Sequence, residues 1–240
     1  MQQIRRSGLF ESLCVVDAGT NRVNYILQSE HWAHSDPTSI TNLILDHLSI
    51  TAIAMLIGLA IAFPIGIFAS RHARFYLPVI TLAGILYTIP SLAAMALLIP
   101  FTGLTRTTVI LPMVLYAQVV LIRNIVAAIQ SVDVLLIEVG RAMGMSSIQL
   151  QREIILPLAL PVIVAGIRVA TVTTIGIATI APLFGVQDLG YLIFQGFNTS
   201  YHDQVLAGVI MVSLLAVVID LLLLGVHRLL SRGRRIGAIA

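Results

Sequence analysis

Residues 48–70 read LSITAIAMLIGLAIAFPIGIFAS and contain no Asp, Glu, Lys, Arg or His. A helix crosses about 30 Å of hydrocarbon with roughly 20 apolar residues, so this stretch is long enough to span a bilayer. Asp36-Pro37 precedes it and resembles a helix start, with Asp at the N-cap and Pro in the first turn. The stretch therefore predicts a transmembrane helix whose first turns lie outside the hydrocarbon.

The composition extends this interpretation to the whole chain. Of 240 residues, 58% are hydrophobic and only 10% are charged, whereas about 25% of the residues in an average soluble domain are charged. This balance excludes a disordered chain, a nucleic-acid-binding module and an ordinary soluble enzyme. The single Cys14 excludes an internal disulfide, and the six histidines show no metal-ligand spacing, so we expect no metal site.

Four more stretches of low charge predict four further spans. They run over 75–105, 107–122, 154–183 and 204–226. In the first of these, Pro78, Pro90 and Pro100 predict a start, a kink and a stop, because proline interrupts the hydrogen bonding of a helix. The chain is therefore expected to be an all-α membrane protein with about five transmembrane helices.

The arginines predict the orientation of these spans. A five-span arrangement places nine arginines on one side of the membrane and four on the other. The nine are Arg71, Arg74, Arg123, Arg141, Arg152, Arg228, Arg232, Arg234 and Arg235; the four are Arg5, Arg6, Arg22 and Arg106. The positive-inside rule then puts the N-terminus outside and the C-terminus inside. We divide the chain into a polar arm (1–35), a transmembrane domain (36–227) and a basic cytoplasmic tail (228–240).

Small residues in the first span indicate close helix packing. Ala54, Gly58, Ala62 and Gly66 recur every four residues, a spacing that lets another helix approach closely within lipid. The alternative is that this face lines a pore.

The connector between the third and fourth spans has a distinctive pattern. Residues 133–153 read DVLLIEVGRAMGMSSIQLQRE. An apolar stripe at helical spacing consists of Leu135, Val139, Ala142 and Met143. Gly144 is placed to end that helix. Ser146 followed by Gln149 fits a capping box, which starts a second short helix. Two interpretations remain open: an amphipathic connector at the interface, or a docking element for a cytoplasmic partner that covers Met143, Met145 and Ile148, which would otherwise be left exposed.

The connector also resembles the EAA signature of ABC importer permeases, which is Glu-Ala-Ala, three residues, Gly, nine residues and Ile-x-Leu-Pro. Glu138, Gly144 and Ile154-x-Leu156-Pro157 match that spacing without a gap, while Val139 and Gly140 replace the two alanines. The resemblance implies that residues of the coupling segment (133–157) contact a cytoplasmic ATPase. The residues it assigns to this contact are Glu138, Arg141, Ala142, Gly144, Met145, Ile154, Leu156 and Pro157.

Further stretches between about residues 40 and 225 resemble the permeases of osmoprotectant importers for glycine betaine, carnitine or choline. They are His47-Leu48 with Gly58, Pro64 and Gly66; Thr88-Ile89-Pro90-Ser91-Leu92; Arg123-Asn124; Ala165-Gly166-Ile167-Arg168; and Leu189-Gly190-Tyr191 with Ile193-Phe194. Before Leu189 the chain carries Gly185-Val186-Gln187-Asp188 in place of a glycine-rich stretch. This departure affects the assignment of the transported solute more than the assignment of the family.

This resemblance implies a type I importer permease fold in a bacterial plasma (inner) membrane. The implied partners are a second permease subunit (identical or related), two cytoplasmic ATPase subunits and an extracytoplasmic binding protein. ATP and Mg would bind on the ATPase, and this chain would carry no cofactor. Accordingly, the sequence lacks the GxxxxGK[ST] loop that cradles ATP phosphates. The expectation is a transport subunit, not an enzyme.

Two groups of residues are candidates for the translocation path or for structural support. Tyr87 and Tyr116 lie in mid-span near prolines, including Pro90, and aromatic faces can hold quaternary ammonium groups; the alternative is packing with a hydroxyl hydrogen bond. Arg168 and Asp220 are ionisable residues inside predicted spans, where charges usually pair, reach the interface or face an aqueous path. Three roles therefore remain open: a structural Arg168–Asp220 pair, snorkelling or contact with other groups, and a path role for Arg168.

Other functions remain as alternatives. The chain could transport another small solute, such as an amino acid. An ATP-independent channel or secondary transporter would suit spans interrupted by Gly and Pro, but it gives no reason for the spacing of the connector. An intramembrane enzyme finds no support, because HExxH, GxSxG and paired intramembrane carboxylates are missing from the sequence.

Overall fold

The computed structural model describes residues 24–32 and 36–232, and every regular element in these ranges is helical. This confirms the all-α fold. Most of the expected polar arm (1–35), including Cys14, and residues 233–240 of the expected basic tail (228–240) lie outside the described residues.

The described part of the chain forms a series of α-helices with short 3₁₀ and π segments. The α-helices are α1 (Asn24–Leu27), α2 (Ile40–Arg71), α3 (Ala73–Thr88), α4 (Ser91–Thr102), α5 (Arg106–Gln130), α6 (Val134–Ala142), α7 (Ser147–Gln149), α8 (Leu156–Ala178), α9 (Gly190–Asn198) and α10 (His202–Arg232). The 3₁₀ segments are Ser29–Trp32 and Ala181–Phe184, and a π-helix, Leu150–Ile155, joins α7 to α8.

Four of the described helical segments are long and apolar enough to cross a membrane: α2, α5, the continuous segment 147–178 and α10. The pair α3 and α4 makes a fifth if the two are counted as one span. This agrees with the five predicted spans, and α5 continues past Arg123 to Gln130.

The second span is broken more sharply than a kink. The axes of α3 and α4 differ by 89°, and Pro90 lies at the break in extended conformation. The predicted start near Pro78 is wrong, because α3 begins at Ala73 and Pro78 lies inside it. The predicted stop near Pro100 is confirmed, because α4 ends two residues later, at Thr102. Gly103 follows as the C-cap, and its φ of 68° suits glycine.

The first long helix starts later than predicted. Its N-cap is Ser39, whose Oγ accepts a hydrogen bond from the Asn42 N–H. Asp36 is not the cap, because its carboxylate accepts from the backbone N–H and the hydroxyl of Thr38 in a local turn. These two hydrogen bonds hold the pKa of Asp36 below its ordinary value.

The helix α5 lies at the centre of the bundle and packs against α2, α3, α4 and α8. In the most apolar 18-residue stretch of α5, 67% of the residues are buried, compared with 6% in the corresponding stretch of α10. The small-residue face of α2 packs against α5 within the same chain: Gly58 faces Ala117 and Leu121, and Gly66 faces Ile125. The described contacts therefore favour packing over a pore lining for this face.

The end of the fourth span also differs from its prediction. The helix α8 ends at Ala178, and the 3₁₀ segment Ala181–Phe184 follows, so the predicted end at residue 183 is wrong. Pro182 lies in the first turn of the 3₁₀ segment, where its missing N–H costs no helical hydrogen bond. The chain then turns at Gly185, φ 78°, and leads through α9 into α10.

Candidate coupling segment and buried polar groups

The coupling segment (133–157) is two helices joined by a glycine turn. Asp133 caps α6 by accepting a hydrogen bond from the Leu135 N–H. At the other end, the N–H of Met145 bonds to the Gly140 carbonyl and the N–H of Gly144 to the Arg141 carbonyl. These two bonds form the Schellman arrangement, which needs a left-handed residue. Gly144 provides it with a φ of 80°, which confirms the predicted joint.

The second helix begins at the predicted capping box. The Gln149 N–H donates to the Ser146 hydroxyl, and the Ser146 N–H donates to the Gln149 side chain. The helix then continues through the π-helix into α8 without a break. The second helix of the connector is therefore continuous with a long spanning helix.

One face of α6 packs on the protein and another is left open. Gly140 is buried against Leu150 and Ile154, and a Cβ at this position would come within 2.7–2.8 Å of their side-chain ends. This close approach gives a physical reason for glycine where the signature has alanine. Met145 is half-buried, so the prediction that it is left exposed with Met143 and Ile148 is wrong for this residue. Its sulfur lies against the Gly140 position.

The open face is apolar. Leu135, Val139, Met143 and Ile148 are 49–72% exposed. Of the residues assigned to the ATPase contact, Glu138, Arg141, Ala142, Gly144 and Pro157 are exposed, and Met145, Ile154 and Leu156 are half-buried. Among the described residues, none supplies a partner for the Glu138 carboxylate. An apolar face bordered by an unpaired carboxylate is suited to docking on another protein.

Arg168 and Asp220 form a bidentate ion pair between α8 and α10. The Arg168 Nε donates to Asp220 Oδ1 at 2.9 Å, and Nη2 donates to Oδ2 at 2.7 Å. Such paired geometry offsets part of the cost of placing both charges in a membrane segment. The pair also connects α10 to the bundle. This connection matters for α10 because little of that helix is buried.

Tyr87 and Tyr116 lie together at the break between α3 and α4. Their ring centroids are 5.5 Å apart in an edge-to-face arrangement. Tyr116 is buried, and its hydroxyl donates to the Ile89 carbonyl at 2.6 Å, next to Pro90. Tyr87 is 44% exposed. Packing with a hydroxyl hydrogen bond therefore describes Tyr116, while Tyr87 stays partly exposed.

The sequence reasoning missed a buried pair, His47 and Asp188. The His47 Nδ1 lies 2.9 Å from Asp188 Oδ2, and both side chains are fully buried. His47 also contacts the Ile175 carbonyl through Nε2 at 3.2 Å, and Asp188 Oδ1 accepts from the Gly190 N–H. Burial raises the pKa of Asp188 above its ordinary value. The pair ties α2 and α8 to the loop before α9.

A weak signal for this pair exists in the sequence. His47 is an ionisable residue at the edge of an uncharged stretch, and Asp188 stands where the resembling permeases carry a glycine-rich stretch. Nothing local links them, because they are far apart in the sequence. Within the described residues, no three His, Cys, Asp or Glu side chains come together in a way that could hold a metal.

The helical bundle, its long apolar segments and its exposed connector define a class of protein: the membrane-spanning subunit of a transporter. Comparison with known proteins makes this specific. Residues 54–236 match the family described as binding-protein-dependent transport system inner membrane component. The chain belongs to this family of ABC importer permeases, which are multi-pass membrane proteins.

Individual relatives agree with this assignment. The choline transport system permease protein OpuBB of Bacillus subtilis is 36% identical over 78% of this chain and 86% of its own length. The osmoprotectant import permease protein OsmW of Salmonella typhimurium is 37% identical over 83% and 94%. The carnitine transport permease protein OpuCD of Listeria monocytogenes is 40% identical over 77% and 83%.

Solved structures share the fold. A chain of the MetNI methionine ABC transporter, in an inward-facing conformation, has a TM-score of 0.72 at 23% identity and covers 80% of this chain and 95% of its own. A chain of an amino acid ABC transporter has a TM-score of 0.65 at 17% identity, covering 89% and 99%. The chain is therefore a transport subunit and not an enzyme, and ATP hydrolysis belongs to a separate subunit. A channel or secondary transporter is the weaker interpretation.

Proposed function

We propose that this chain forms the translocation path of an importer for a small osmoprotectant such as choline, carnitine or glycine betaine. The relatives named for these solutes carry the proposal, because they align with most of the chain at 36–40% identity. Import of an amino acid is the second candidate. It has weaker support, because the transporters named for amino acids share the fold at low identity.

The coupling segment (133–157) is the contact with the ATPase. Its exposed apolar face and its unpaired Glu138 are suited to a groove on a partner subunit. The rigid glycine turn and the continuous path into α8 allow a movement of the ATPase to reach the spanning helices. ATP and Mg bind on that partner and not on this chain.

A second permease subunit, identical or related, completes the path. The helices α3, α4 and α10 expose many large apolar side chains, including Leu82, Leu97, Phe101, Leu221 and Leu222. Lipid covers part of this surface and the second subunit covers the rest. Two ATPase subunits and one extracytoplasmic binding protein complete the importer.

The N-terminus lies outside the cell and the C-terminus inside. The nine-to-four division of arginines supports this orientation. Arg71, at the end of α2, and Arg141, in the coupling segment, line one cavity. The geometry therefore puts these two arginines at the same end of the bundle, as the orientation requires.

Tyr87 lies along the solute path. Its exposed ring is held edge-to-face by Tyr116 beside the Pro90 break, and an aromatic face attracts a quaternary ammonium group. Arg168 has a structural role instead, because its guanidinium is already engaged by Asp220 in a bidentate pair.

Uptake into proteoliposomes tests the substrate. The complete importer is reconstituted with its binding protein, and ATP-dependent uptake of choline, carnitine, glycine betaine and methionine is compared. We expect saturable uptake of at least one quaternary ammonium solute and none of methionine. Uptake of methionine alone would establish the amino-acid alternative.

The same vesicles test the coupling segment. Glu138→Ala and Gly144→Val should both reduce uptake and transport-coupled ATP hydrolysis while the chain still inserts. Valine is strained at a φ of 80°, by on the order of 1–2 kcal/mol. Gly144→Asn is the matched control, because asparagine tolerates this conformation and no neighbouring atom lies within 4 Å of an added Cβ. Wild-type rates in Glu138→Ala and Gly144→Val would contradict the coupling role.

A further inference from the structure

A cavity of about 450 Å³ lies between the coupling segment and the ends of the spanning helices. Its wall combines Arg71 at the end of α2, Arg141 on α6 and Gln151 on the π-helix. The rest of the lining is mostly apolar and includes Ile129, Ile137 and Leu150. The cavity is therefore bordered by α2, α5, α6, α7 and the π-helix, at the end of the bundle that carries the connector.

The charges around this cavity are unbalanced. None of the described residues that line it is acidic. Neither arginine forms an ion pair with a carboxylate in the described part of the chain. Glu138 and Glu153 lie on the same two elements as Arg141 and Gln151, but they do not line the cavity. Two uncompensated guanidinium groups raise the affinity of such a cavity for an anion.

Gln151 adds a buried donor without an acceptor. Its side chain is more than nine-tenths buried, and the Arg71 Nη2 donates to its Oε1 at 2.8 Å. Because arginine has only donors, the oxygen of the amide must face Arg71, which fixes the orientation of the group. The Nε2 of Gln151 is then left buried without a hydrogen-bond partner. A buried amide N–H₂ without an acceptor is rare in folded proteins and indicates a missing partner.

We propose that this cavity is a binding site for a phosphate-type anion, held by Arg71 and Arg141 with Gln151 beside them. Guanidinium groups bind phosphate oxygens in paired geometry. The apolar wall suits the glycerol and first methylenes of a phospholipid, and basic pockets between spanning helices at the cytoplasmic face bind anionic headgroups. A soluble phosphate is the other source of the same chemistry. The site uses this chain's residues alone and does not depend on the proposed solute.

Binding would also hold the connector in place. An anion bridging Arg71 and Arg141 links α6 to the end of α2 across the cavity. The site therefore stabilises one position of the coupling segment relative to the spanning helices.

Thermal unfolding of the full-length chain in neutral detergent tests the proposal. The probes are a short-chain phosphatidylglycerol, the phosphatidylcholine of the same chain length and, separately, inorganic phosphate. A ligand that binds only the folded state raises the unfolding temperature by an amount that grows with the ratio of its concentration to its Kd. We expect phosphatidylglycerol, but not phosphatidylcholine, to raise it. Protection by inorganic phosphate at similar concentrations would identify a soluble phosphate as the ligand.

Three variants locate the site. Arg141→Gln removes one charge, and Gln151→Glu keeps the contact with Arg71 while placing a carboxylate against the anion. Each should raise the ligand concentration that produces a given shift of the unfolding temperature on the order of tenfold, the effect of losing one charge-assisted hydrogen bond. Arg152→Gln is the matched control, because Arg152 neighbours Gln151 in sequence but does not line the cavity. Because Arg141 is exposed, its variant should fold even if Gln151→Glu does not.

The proposal is overturned if phosphatidylglycerol and phosphate both fail to protect the wild-type chain. It is equally overturned if protection is the same in Arg141→Gln as in Arg152→Gln. Either result would show that the cavity holds no specific anion.

Discussion

Glycines that look equivalent in the sequence differ in what surrounds them. A Cβ at Gly66 would lie 2.6 Å from Ile125 Cγ2 and 2.9 Å from its Cβ, closer than side-chain atoms pack. A Cβ at Gly58 would lie 3.5 Å from Ala117 and Leu121, which is ordinary contact. The stripe in α2 therefore contains one position that requires glycine and one that accepts alanine.

We expect Gly66→Ala to destabilise the protein by roughly 1–3 kcal/mol, because the branched Ile125 near its backbone has little room to move. Gly58→Ala is the matched control, with the same change of helix propensity on the same face. The apparent unfolding temperature in detergent should fall for Gly66→Ala only. Equal unfolding temperatures would mean that α2 and α5 do not approach as closely as the structure shows.

The buried pair His47–Asp188 is a second feature at the scale of single residues. We expect Asp188→Ala to cost about 3 kcal/mol, because it leaves His47 buried without its partner and the Gly190 N–H without an acceptor. Asp188→Asn should cost less, since an amide oxygen still accepts from Gly190. Chemical unfolding in detergent compares the two variants. If Asp188→Ala proves as stable as the wild type, the loop is not held by this pair.

At the scale of elements, α6 has one face that packs on the protein and another that is open. Gly140 fits against Leu150 and Ile154, and this contact sets the position of the helix. The face with Leu135, Val139 and Met143 makes no comparable contact in the described chain. A substitution on the open face should therefore change docking without changing the fold.

Leu135→Asp tests this separation. Leu135 is 63% exposed in the first turn of α6, where an acidic residue is favourable for the helix dipole. We expect unchanged thermal stability of the isolated chain but much reduced co-purification of the ATPase, because a charge replaces an apolar contact. Undiminished co-purification would assign docking to another surface.

At the scale of the whole molecule, the topology requires the two ends of the bundle to face different compartments. In a Cys14→Ser background, Arg74→Cys should not react with a membrane-impermeant thiol reagent added to intact cells. Asn198→Cys, at the exposed end of α9, should react. Strong labelling at position 74 would invert the proposed orientation.

Sequence patterns of short range predicted much of the fold and part of the site. Uncharged length predicted the spans, since about 20 apolar residues are needed for each. Fixed spacings predicted the Gly144 joint and the capping box at Ser146, because both depend on hydrogen bonds between near neighbours. The connector's match to the EAA spacing predicted the family, which the comparisons confirm.

Features that join distant parts of the chain were decided only by the tertiary structure. The sequence places His47 and Asp188 in unrelated stretches, and their pairing depends on how α2, α8 and the loop before α9 pack. Likewise, the sequence predicted the bend at Pro90, but only the structure shows that it is an 89° break and that α3 runs through Pro78. A proline weakens its helix locally, whereas the size of the bend depends on the packing around it. Local hydrogen bonding and hydrophobic length can be read along the chain, whereas close approach between helices exists only once the bundle has formed.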